Sequence, residues 1–332
     1  MDLAVLEKAL ATLNNSNLKQ NGLNESVRLL HGRGRCYPSF EQITIDWFEP
    51  VILISQFKEQ EGFDVKILAT FLLDYFTKHF PFKNVQAVVF QDRSKNIPEF
   101  TTIEGCLPEY CYAIENGLKF HIDLQNYQNV GFFLDAKLAR EKLASICQEK
   151  RVLNLFAFTC SFSVVALAKG AKSVVNLDMG KGVLERGRLN HQLNNLTADE
   201  RSVTYIKSDI FKAWKKLHKY GRYDVIVIDP PSFQKGSFNA EKDYIKIVKQ
   251  LHRLLENKAQ IIACLNSPFL TEEFLDSLFL SGPLNEGEYN LKKLERLKNP
   301  AAFCDIDSDA GLKVVIYDYE RKNSGIQFRQ HD

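Results

Sequence analysis

Tyr223-Asp224-Val225-Ile226-Val227-Ile228, followed at once by Asp229-Pro230-Pro231-Ser232-Phe233, is the stretch on which the reading of this chain turns. Six residues are too few for a stable helix, and their β-branched content suits a strand buried on both faces of a parallel sheet. Asp-Pro-Pro then stops the strand abruptly. Neither proline can donate to a sheet ladder, and each biases the residue before it toward an extended backbone. A carboxylate and two carbonyls are thereby held at the carboxyl edge of a sheet, where open α/β folds bind ligands. An ordinary turn after a core strand can look the same, so the surrounding chain has to decide.

From Asn129 onward, apolar runs of strand and helix length alternate. The spacing predicts helix 137–148, strand Arg151–Phe156, helix Ser163–Lys169, strand Ser173–Asp178, helix Lys181–Asn194 and strand Val203–Lys207. Helix Ile210–His218, strand 223–228, helix Asp243–Glu256 and strand Gln260–Leu265 follow. This alternation implies an α/β fold built on a doubly wound, mostly parallel sheet. Tyr289–Lys298 and Val314–Tyr319 read as two more strands, expected to be antiparallel.

Ahead of Asn129 the pattern is α+β. Asp2 to about Leu30 opens with helical spacing (Leu3, Leu6, Leu10, Leu13), and Ile43–Phe48 and Val51–Ser55 read as a hairpin across Glu49-Pro50. Val65–Phe80 carries a helical apolar face. Strands are expected around Val85–Gln91 and over Tyr112–Leu124, the latter turning at Asn116-Gly117. The expected organisation is therefore a helical segment over 1–30, a small α+β domain over 31–125 and the α/β domain over 126–332.

With 332 residues, 45% of them hydrophobic, the chain can bury a large core and supply two domains. Its net charge of +2 is unevenly spread: residues 1–126 carry 12 Lys+Arg against 16 Asp+Glu, and residues 127–332 carry 31 against 25. That balance permits an anionic partner without requiring one. Seven scattered cysteines with no CxxC spacing suggest neither a zinc site nor a disulfide framework, and most are expected to be core thiols. With no signal peptide and no apolar run of membrane-spanning length, a cytoplasmic location is expected.

In a doubly wound sheet the turn after the first strand and the end of the second hold a nucleotide-like ligand. The first strand leads into Ala157-Phe158-Thr159-Cys160-Ser161, and the second ends in Asp178, 24 positions after Asn154. A carboxylate there can accept from two ribose hydroxyls. The third strand runs into Asp209-Ile210-Phe211, an acceptor for an adenine amine beside apolar neighbours. Each acid alone can be a helix cap or a turn residue; the three in register, Asp178, Asp209 and Asp229, are harder to dismiss. Residues 157–162 contain no glycine, which disfavours a nicotinamide dinucleotide, whose pyrophosphate needs close backbone approach. S-adenosylmethionine, with a carboxylate to be met by Thr159, Ser161 and a helix N-terminus, fits better.

With these residues in place, the chain resembles the S-adenosylmethionine-dependent methyltransferases of large-subunit ribosomal RNA, the group holding cytosine-5 and guanine-N7 enzymes. The matching stretches are Leu30-His31-Gly32-Arg33-Gly34-Arg35, Glu115-Asn116-Gly117-Leu118-Lys119-Phe120 and Gly131-Phe132-Phe133-Leu134-Asp135. Leu153-Asn154-Leu155-Phe156, Asn176-Leu177-Asp178 and Asp229-Pro230-Pro231-Ser232-Phe233-Gln234-Lys235 complete the likeness, which covers roughly residues 30–320. It implies a Rossmann-like class I methyltransferase domain preceded by a small RNA-handling domain, with RNA as partner and no metal. Implied cofactor contacts are Asn154, Phe156, Thr159, Ser161, Asp178, Met179, Asp209, Ile210 and Asp229; implied catalytic residues are Asp229, Pro230, Phe233 and Asn266.

Two departures from the family pattern carry consequences. Where relatives usually have glycines in the first turn, this chain has Cys160-Ser161, and each Cβ is expected to narrow the carboxylate's approach. Cytosine-5 methylation needs a cysteine thiolate to add to the ring. The cytosine-5 members carry it just past the fifth strand, where this chain offers Leu265 or Asn266. Cys264 lies one residue earlier, inside the strand, and reads as a core thiol or as an alternative nucleophile. Asn266 suits direct methylation of a base nitrogen, in which Asp229, the Pro230 carbonyl and Asn266 bind the base edge and Phe233 stacks on it. A non-catalytic RNA-binding protein with a decayed cofactor pocket is the reading from a different class. His31-Gly32-Arg33-Gly34-Arg35 is expected to be a flexible basic loop that meets a phosphate or simply turns the chain. Lys212, Lys215, Lys216, Lys219 and Arg222, and again Lys292, Lys293, Arg296 and Lys298, are basic runs that can be solvated faces or phosphate contacts.

Overall fold

The computed structural model describes residues 1–13, 25–95, 97–196, 202–285 and 289–322, which fall into two compact units. The first comprises Met1–Leu138 together with Glu185–Leu196 and Asn299–Gly311. Its elements are α1 (Leu3–Leu13), β1 (Val27–His31), β2 (Ile43–Phe48), β3 (Val51–Gln56), α2 (Val65–His79), β4 (Ala87–Asp92), β5 (Glu99–Gly105), β6 (Cys111–Glu115) and β7 (Leu118–Ile122). Strands β1 to β5 form one sheet in chain order, antiparallel except for the parallel β3–β4 pair that α2 connects. Asp64 starts α2 by accepting the N–H groups of Lys66 and Ile67. Leu68, Leu72 and Phe76 then form an apolar stripe at helical spacing, buried with Leu6, Leu10, Leu30, Ile45, Trp47 and Ile52. Each such buried side chain contributes about 1.5–3 kcal/mol relative to an exposed one.

The hairpin across Glu49-Pro50 and the turn at Asn116-Gly117 form as expected, the latter with both residues at positive φ (50° and 77°). The opening segment differs. Among the described residues its helix spans Leu3–Leu13, and Val27–His31 is a strand paired with β2; residues 14–24 lie outside the described set. Short apolar runs such as Val27-Arg28-Leu29-Leu30 suit helix and strand alike, and only a partner strand decides. The strand β5 has no counterpart in the sequence reading, because its mostly exposed, polar-rich residues give little alternation.

The second unit comprises Ala139–Leu184, Thr197–Lys298 and Leu312–Asp332. It contains most of α3 (Lys137–Ile146), then β8 (Arg151–Leu155), α4 (Ser161–Ala168), β9 (Ser173–Asp178), the start of α5 (Lys181–Leu193), β10 (Val203–Lys207), α6 (Ile210–Lys219) and β11 (Tyr223–Ile228). A two-strand ribbon, β12 (Phe233–Gln234) and β13 (Phe238–Asn239), leads to α7 (Ala240–Leu251), β14 (Leu255–Leu265), α8 (Glu272–Phe279), β15 (Tyr289–Leu297) and β16 (Lys313–Arg321). The seven-stranded sheet has the order β10-β9-β8-β11-β14-β16-β15. Its first five strands are parallel, and β16 runs antiparallel to both neighbours. The doubly wound, mostly parallel architecture is thus as the alternation implied.

One boundary moves. The helix expected over Asp243–Glu256 ends at Leu251, because Leu255 is drawn into the sheet opposite Tyr223 and its carbonyl accepts from the Arg222 guanidinium at 2.8 Å. Leu251, Leu254 and Leu255 continue a helical spacing, so tertiary pairing overrides the local pattern here.

Candidate functional site

Sheet register assembles the site in the second unit. Leu155 lies opposite Ile228 on one side and Leu177 on the other; Ile228 lies opposite Ala263 and Asp178 opposite Lys207. One residue further along the strands, Phe156 stands between Asp178 and Asp229 at the carboxyl edge, with Cys264 beyond. Order reverses at β8, since the chain goes from β8 to β9 and β10 on one side and then crosses to β11 on the other. A crevice at such a switch point is where doubly wound sheets bind ligands.

The turn leaving β8 is tightly determined. Phe156, Phe158 and Cys160 all occupy the left-handed region, at φ of 57°, 48° and 63°. Each costs an L-residue about 1–2 kcal/mol, and strain of this kind persists where the surrounding structure imposes it, commonly at ligand-binding turns. The Cys160 N–H donates to the Ala157 carbonyl at 2.7 Å, and the Cys160 carbonyl accepts from Val164 at 3.0 Å to open α4. Cys160 is fully buried against Ala157, Leu184 and Tyr205, so its side chain is turned into the core. This differs from the expected narrowing of the turn by the Cys160 Cβ. Three L-residues in the left-handed region, none of them glycine, carry this turn.

Asp178 is woven into that turn. One carboxylate oxygen accepts from the Phe158 N–H at 2.9 Å and the other from Gly180 at 2.8 Å. A carboxylate offers about four acceptor positions, so about two remain for hydroxyl donors. Burial pushes the Asp178 carboxyl above the usual aspartate range, against the opposing pull of backbone N–H groups from Gly180, Phe158 and Met179. Met179 is 44% exposed beside it. Thr159 is buried, and the half-buried Ser161 is the first residue of α4, where the amides of the opening turn lack intrahelical partners. Asp209 caps α6 by accepting from the Phe211 N–H at 2.9 Å, and Ile210 packs in the core behind it.

Asn154 is placed differently from the other candidates. Its side chain is buried within the sheet, donating from Nδ2 to Asn176 Oδ1 at 2.9 Å; Asn176 Nδ2 in turn donates to Ser163 Oγ at 2.9 Å. This amide chain ties β8 and β9 to α4, one turn of backbone short of the edge where Phe156, Asp178 and Asp229 meet.

Past β11, Asp229 is half-buried and Pro230 buried, and the Ser232 hydroxyl donates to the Asn266 carbonyl at 2.5 Å. The ends of β11 and β14 are therefore pinned to one another. The Asn266 side chain is exposed, and Phe233 is 66% exposed. Cys264 is fully buried one residue before the end of β14, opposite Val314, with its carbonyl accepting from the Tyr244 hydroxyl at 3.2 Å. Two further residues here escaped the sequence reading. Lys313 is completely buried and donates from Nζ to the Ser267 carbonyl at 2.7 Å, fixing the backbone next to Asn266. Phe269 is 91% exposed just past it. A lone lysine opening an apolar strand was the available signal for Lys313, but its partner lies 46 positions away.

The donor set fits S-adenosylmethionine. That molecule presents ribose hydroxyls and an amine that need acceptors, a carboxylate that needs donors, and an adenine that needs apolar faces. Asp178 and Asp209 are carboxylates with acceptor positions to offer, Ser161 and the first amides of α4 are donors without intrahelical partners, and Phe156 is an apolar ring at the same edge.

The basic runs differ from one another. Lys212, Lys215, Lys216 and Lys219 are exposed on α6 and make no ion pair among the described residues. Lys293 pairs with Glu272 and with Asp276 (2.7 Å), and Arg296 pairs with Glu272 (2.8 Å), so two of that run's four charges are neutralised. Of the seven cysteines, Cys111, Cys147, Cys160 and Cys264 are buried, so most are core thiols as expected; Cys36 and Cys106 are exposed and Cys304 is half-buried. Among the described residues no group of three or more His, Cys, Asp or Glu is arranged for a metal ion, and no helix is long and apolar enough to cross a membrane.

Comparison with known proteins bears on this geometry. Residues 27–318 match the family described as S-adenosylmethionine-dependent methyltransferase. The chain is 36% identical over 159 residues to ribosomal RNA large subunit methyltransferase K/L of Alteromonas mediterranea, covering 46% of this chain and 22% of that protein. It is 40% identical over 123 residues to ribosomal RNA large subunit methyltransferase I of Aeromonas salmonicida, covering 37% of this chain and 31% of that protein. The chain thus matches less than a third of the length of these two relatives. Against ribosomal RNA large subunit methyltransferase I of Vibrio cholerae the match is longer, 24% identical over 294 residues, covering 87% of this chain and 72% of that protein. Among solved structures, a proposed methyltransferase crystallised with S-adenosylhomocysteine superposes with a TM-score of 0.80 at 24% identity, over 96% of this chain and 82% of that one.

Proposed function

This chain belongs to the S-adenosylmethionine-dependent methyltransferase family, and we propose that it methylates a nitrogen of a guanine base in large-subunit ribosomal RNA. The observation that carries the choice of nitrogen is the edge past β14: Asn266 is exposed there, while Cys264, the one cysteine nearby, is fully buried within the strand. A cytosine-5 mechanism needs a thiolate that reaches the ring, and a thiol with no exposed surface does not reach it. A guanine nitrogen has, or can be given, a lone pair, so alignment suffices. The RNA substrate is suggested by the relatives named above, and a ribosomal substrate would place the protein in the cytoplasm.

S-adenosylmethionine, when bound, supplies an electrophilic sulfonium methyl. Asp178 and Asp209 would hold its ribose and adenine, and Thr159 and Ser161 with the first amides of α4 its carboxylate; Asn154 would act behind them by bracing β8 against β9. With guanine N7 as the attacking atom, which has a free lone pair and no proton to lose, Asp229 would accept from the N1 and N2 donors rather than act as a base. The Pro230 carbonyl and the Asn266 amide would read the remainder of the base edge, and the exposed rings of Phe233 and Phe269 would stack on a base drawn out of its helix. Lys313, through the Ser267 carbonyl, would hold Asn266 in place.

The test is a comparison of ribosomal RNA nucleosides by mass spectrometry between cells with and without the gene, followed by methyl transfer with purified protein. Loss of one N-methylated guanosine in the deletion, restored in vitro, is expected. An unchanged nucleoside profile refutes RNA methylation, and loss of a 5-methylcytidine refutes the choice of nitrogen.

A further inference from the structure

The loop that the sequence presents as flexible and basic is held rigidly within the first unit. His31 opens a single 3-10 turn, Gly32–Gly34, closed by the Arg35 N–H donating to the Gly32 carbonyl at 2.8 Å. A Cβ at Gly32 would overlap the Phe40 carbonyl oxygen, and one at Gly34 that of Cys304. The Gly34 carbonyl also accepts from the Ile306 N–H at 3.0 Å. Arg33 is thus presented between two backbone clamps.

Four arginines gather around this turn, and two of them have their charge answered. Arg28 donates to both oxygens of buried Asp46, at 2.5 and 3.1 Å, and to His31 Nδ1 at 2.8 Å. Because a guanidinium can only donate, His31 Nδ1 is an acceptor and the ring is neutral. Its pKa is lowered to about 3 by burial and by Arg28 and Arg33. Arg35 pairs with Asp305 at 3.4 Å. Arg33 and Arg93 make no ion pair among the described residues, although Asp305, which pairs with Arg35, also favours the Arg33 charge. Both instead lie on one ring: the guanidinium carbon of Arg33 is 4.2 Å from the centre of Phe57, and that of Arg93 is 4.6 Å from it. The Arg93 Nε is buried with no hydrogen-bond partner. Burial and the charges of Arg33 and Arg28 push Arg93 down to about 10. Two stacked guanidiniums with spare N–H donors, one of them a buried orphan, form a site short of an anion.

We propose that Arg33 and Arg93, held on Phe57, clamp a phosphodiester group of the RNA substrate. A planar fork suits a phosphate oxygen pair, and ring stacking fixes the fork before RNA arrives, which lowers the entropy lost on binding. A backbone phosphate contact carries no sequence information; it sets register and contributes affinity that falls with salt. The inference rests on RNA being the substrate, and its test separates the two.

Affinity for a large-subunit rRNA transcript is measured by filter binding across a salt series for the wild type, Arg33→Gln, Arg93→Gln and the double variant. Each single variant is expected to bind about tenfold more weakly. For single-stranded contacts the double variant should flatten the log–log salt slope by about 1.4. Arg93→Lys should restore part of the affinity. On the wild-type chain, phenylglyoxal modification read by mass spectrometry should show Arg33 protected by the transcript, a readout independent of whether any variant folds. Unchanged affinity, slope and protection overturn the clamp. Micromolar binding of inorganic phosphate alone, abolished in the double variant, overturns it in favour of a free-phosphate site. The nucleoside comparison addresses the reaction separately: the clamp can fail while methylation stands, and arginine-dependent RNA binding can persist where no methylation is found.

Discussion

Replacing Asp178 by asparagine tests the centre of the cofactor reading. The two carboxylate oxygens accept from Phe158 and Gly180, leaving about two acceptor positions for ribose hydroxyls. Asparagine keeps one oxygen and turns an NH2 toward one of the two backbone N–H groups. One backbone hydrogen bond is lost, with a cost to stability of about 1–2 kcal/mol, and one charge-assisted ribose bond with it. The latter is worth about 1.5–3 kcal/mol, so S-adenosylmethionine affinity should fall about 10- to 150-fold. Titration calorimetry measures the affinity and thermal unfolding the stability. Because burial places the Asp178 carboxyl above the usual aspartate range, wild-type affinity should also begin to drop on acidification at a higher pH than an ordinary aspartate would dictate. A variant that binds S-adenosylmethionine within twofold of wild type, while still folded, would refute the assignment of Asp178 to the ribose.

Other perturbations separate roles within the same sheet edge and core. Cys264→Ala should retain methyl transfer and lose about 1 kcal/mol of stability, since the thiol is a buried packing group; abolished transfer by a folded variant would return the cytosine-5 mechanism. Phe233→Ala should change stability by less than about 0.5 kcal/mol because the ring is exposed, yet lower kcat/KM on RNA by about ten- to a hundredfold through lost stacking. Equal kcat/KM would remove Phe233 from the site. His191, buried with Nδ1 on the Gly187 carbonyl at 2.7 Å, has its pKa lowered to about 4 by burial. The unfolded state therefore binds more protons between pH 6.5 and about 4, and stability should fall as pH drops through that window by at most about 3 kcal/mol. Urea unfolding of wild type and His191→Gln across pH checks this, the variant showing a flatter profile.

Strands β8 to β11 were legible because buried parallel strands leave continuous β-branched runs bounded by abrupt stops. The acids at their ends were legible for the same reason: a strand that ends sharply announces which residue sits at the edge. The misreadings share another cause. Val27–His31 and Leu254–Leu255 are apolar in both helical and strand registers, and their pairing with β2 and β11 settled the matter. Asn154 sits two positions before Phe156 and shares its face, yet its partner Asn176 draws it into the sheet. The basic stretch His31–Arg35 marked Arg33, but its gathering with Arg93 on Phe57 could not be read, because the three residues are far apart in the chain.

By itself, then, the sequence determined the alternation of strands and helices, the stiff Asp229-Pro230-Pro231 corner and the series of strand-end acids. These follow from local backbone chemistry: periodicity, proline's missing N–H and the abrupt ends of apolar runs. The tertiary structure alone decided that Cys160 turns inward while three strained residues hold the first turn, that Cys264 is sealed within its strand, and that Lys313 fixes the backbone beside Asn266. Those outcomes depend on partners tens of residues away, and no local pattern encodes which of two faces a side chain will take once the sheet has closed around it.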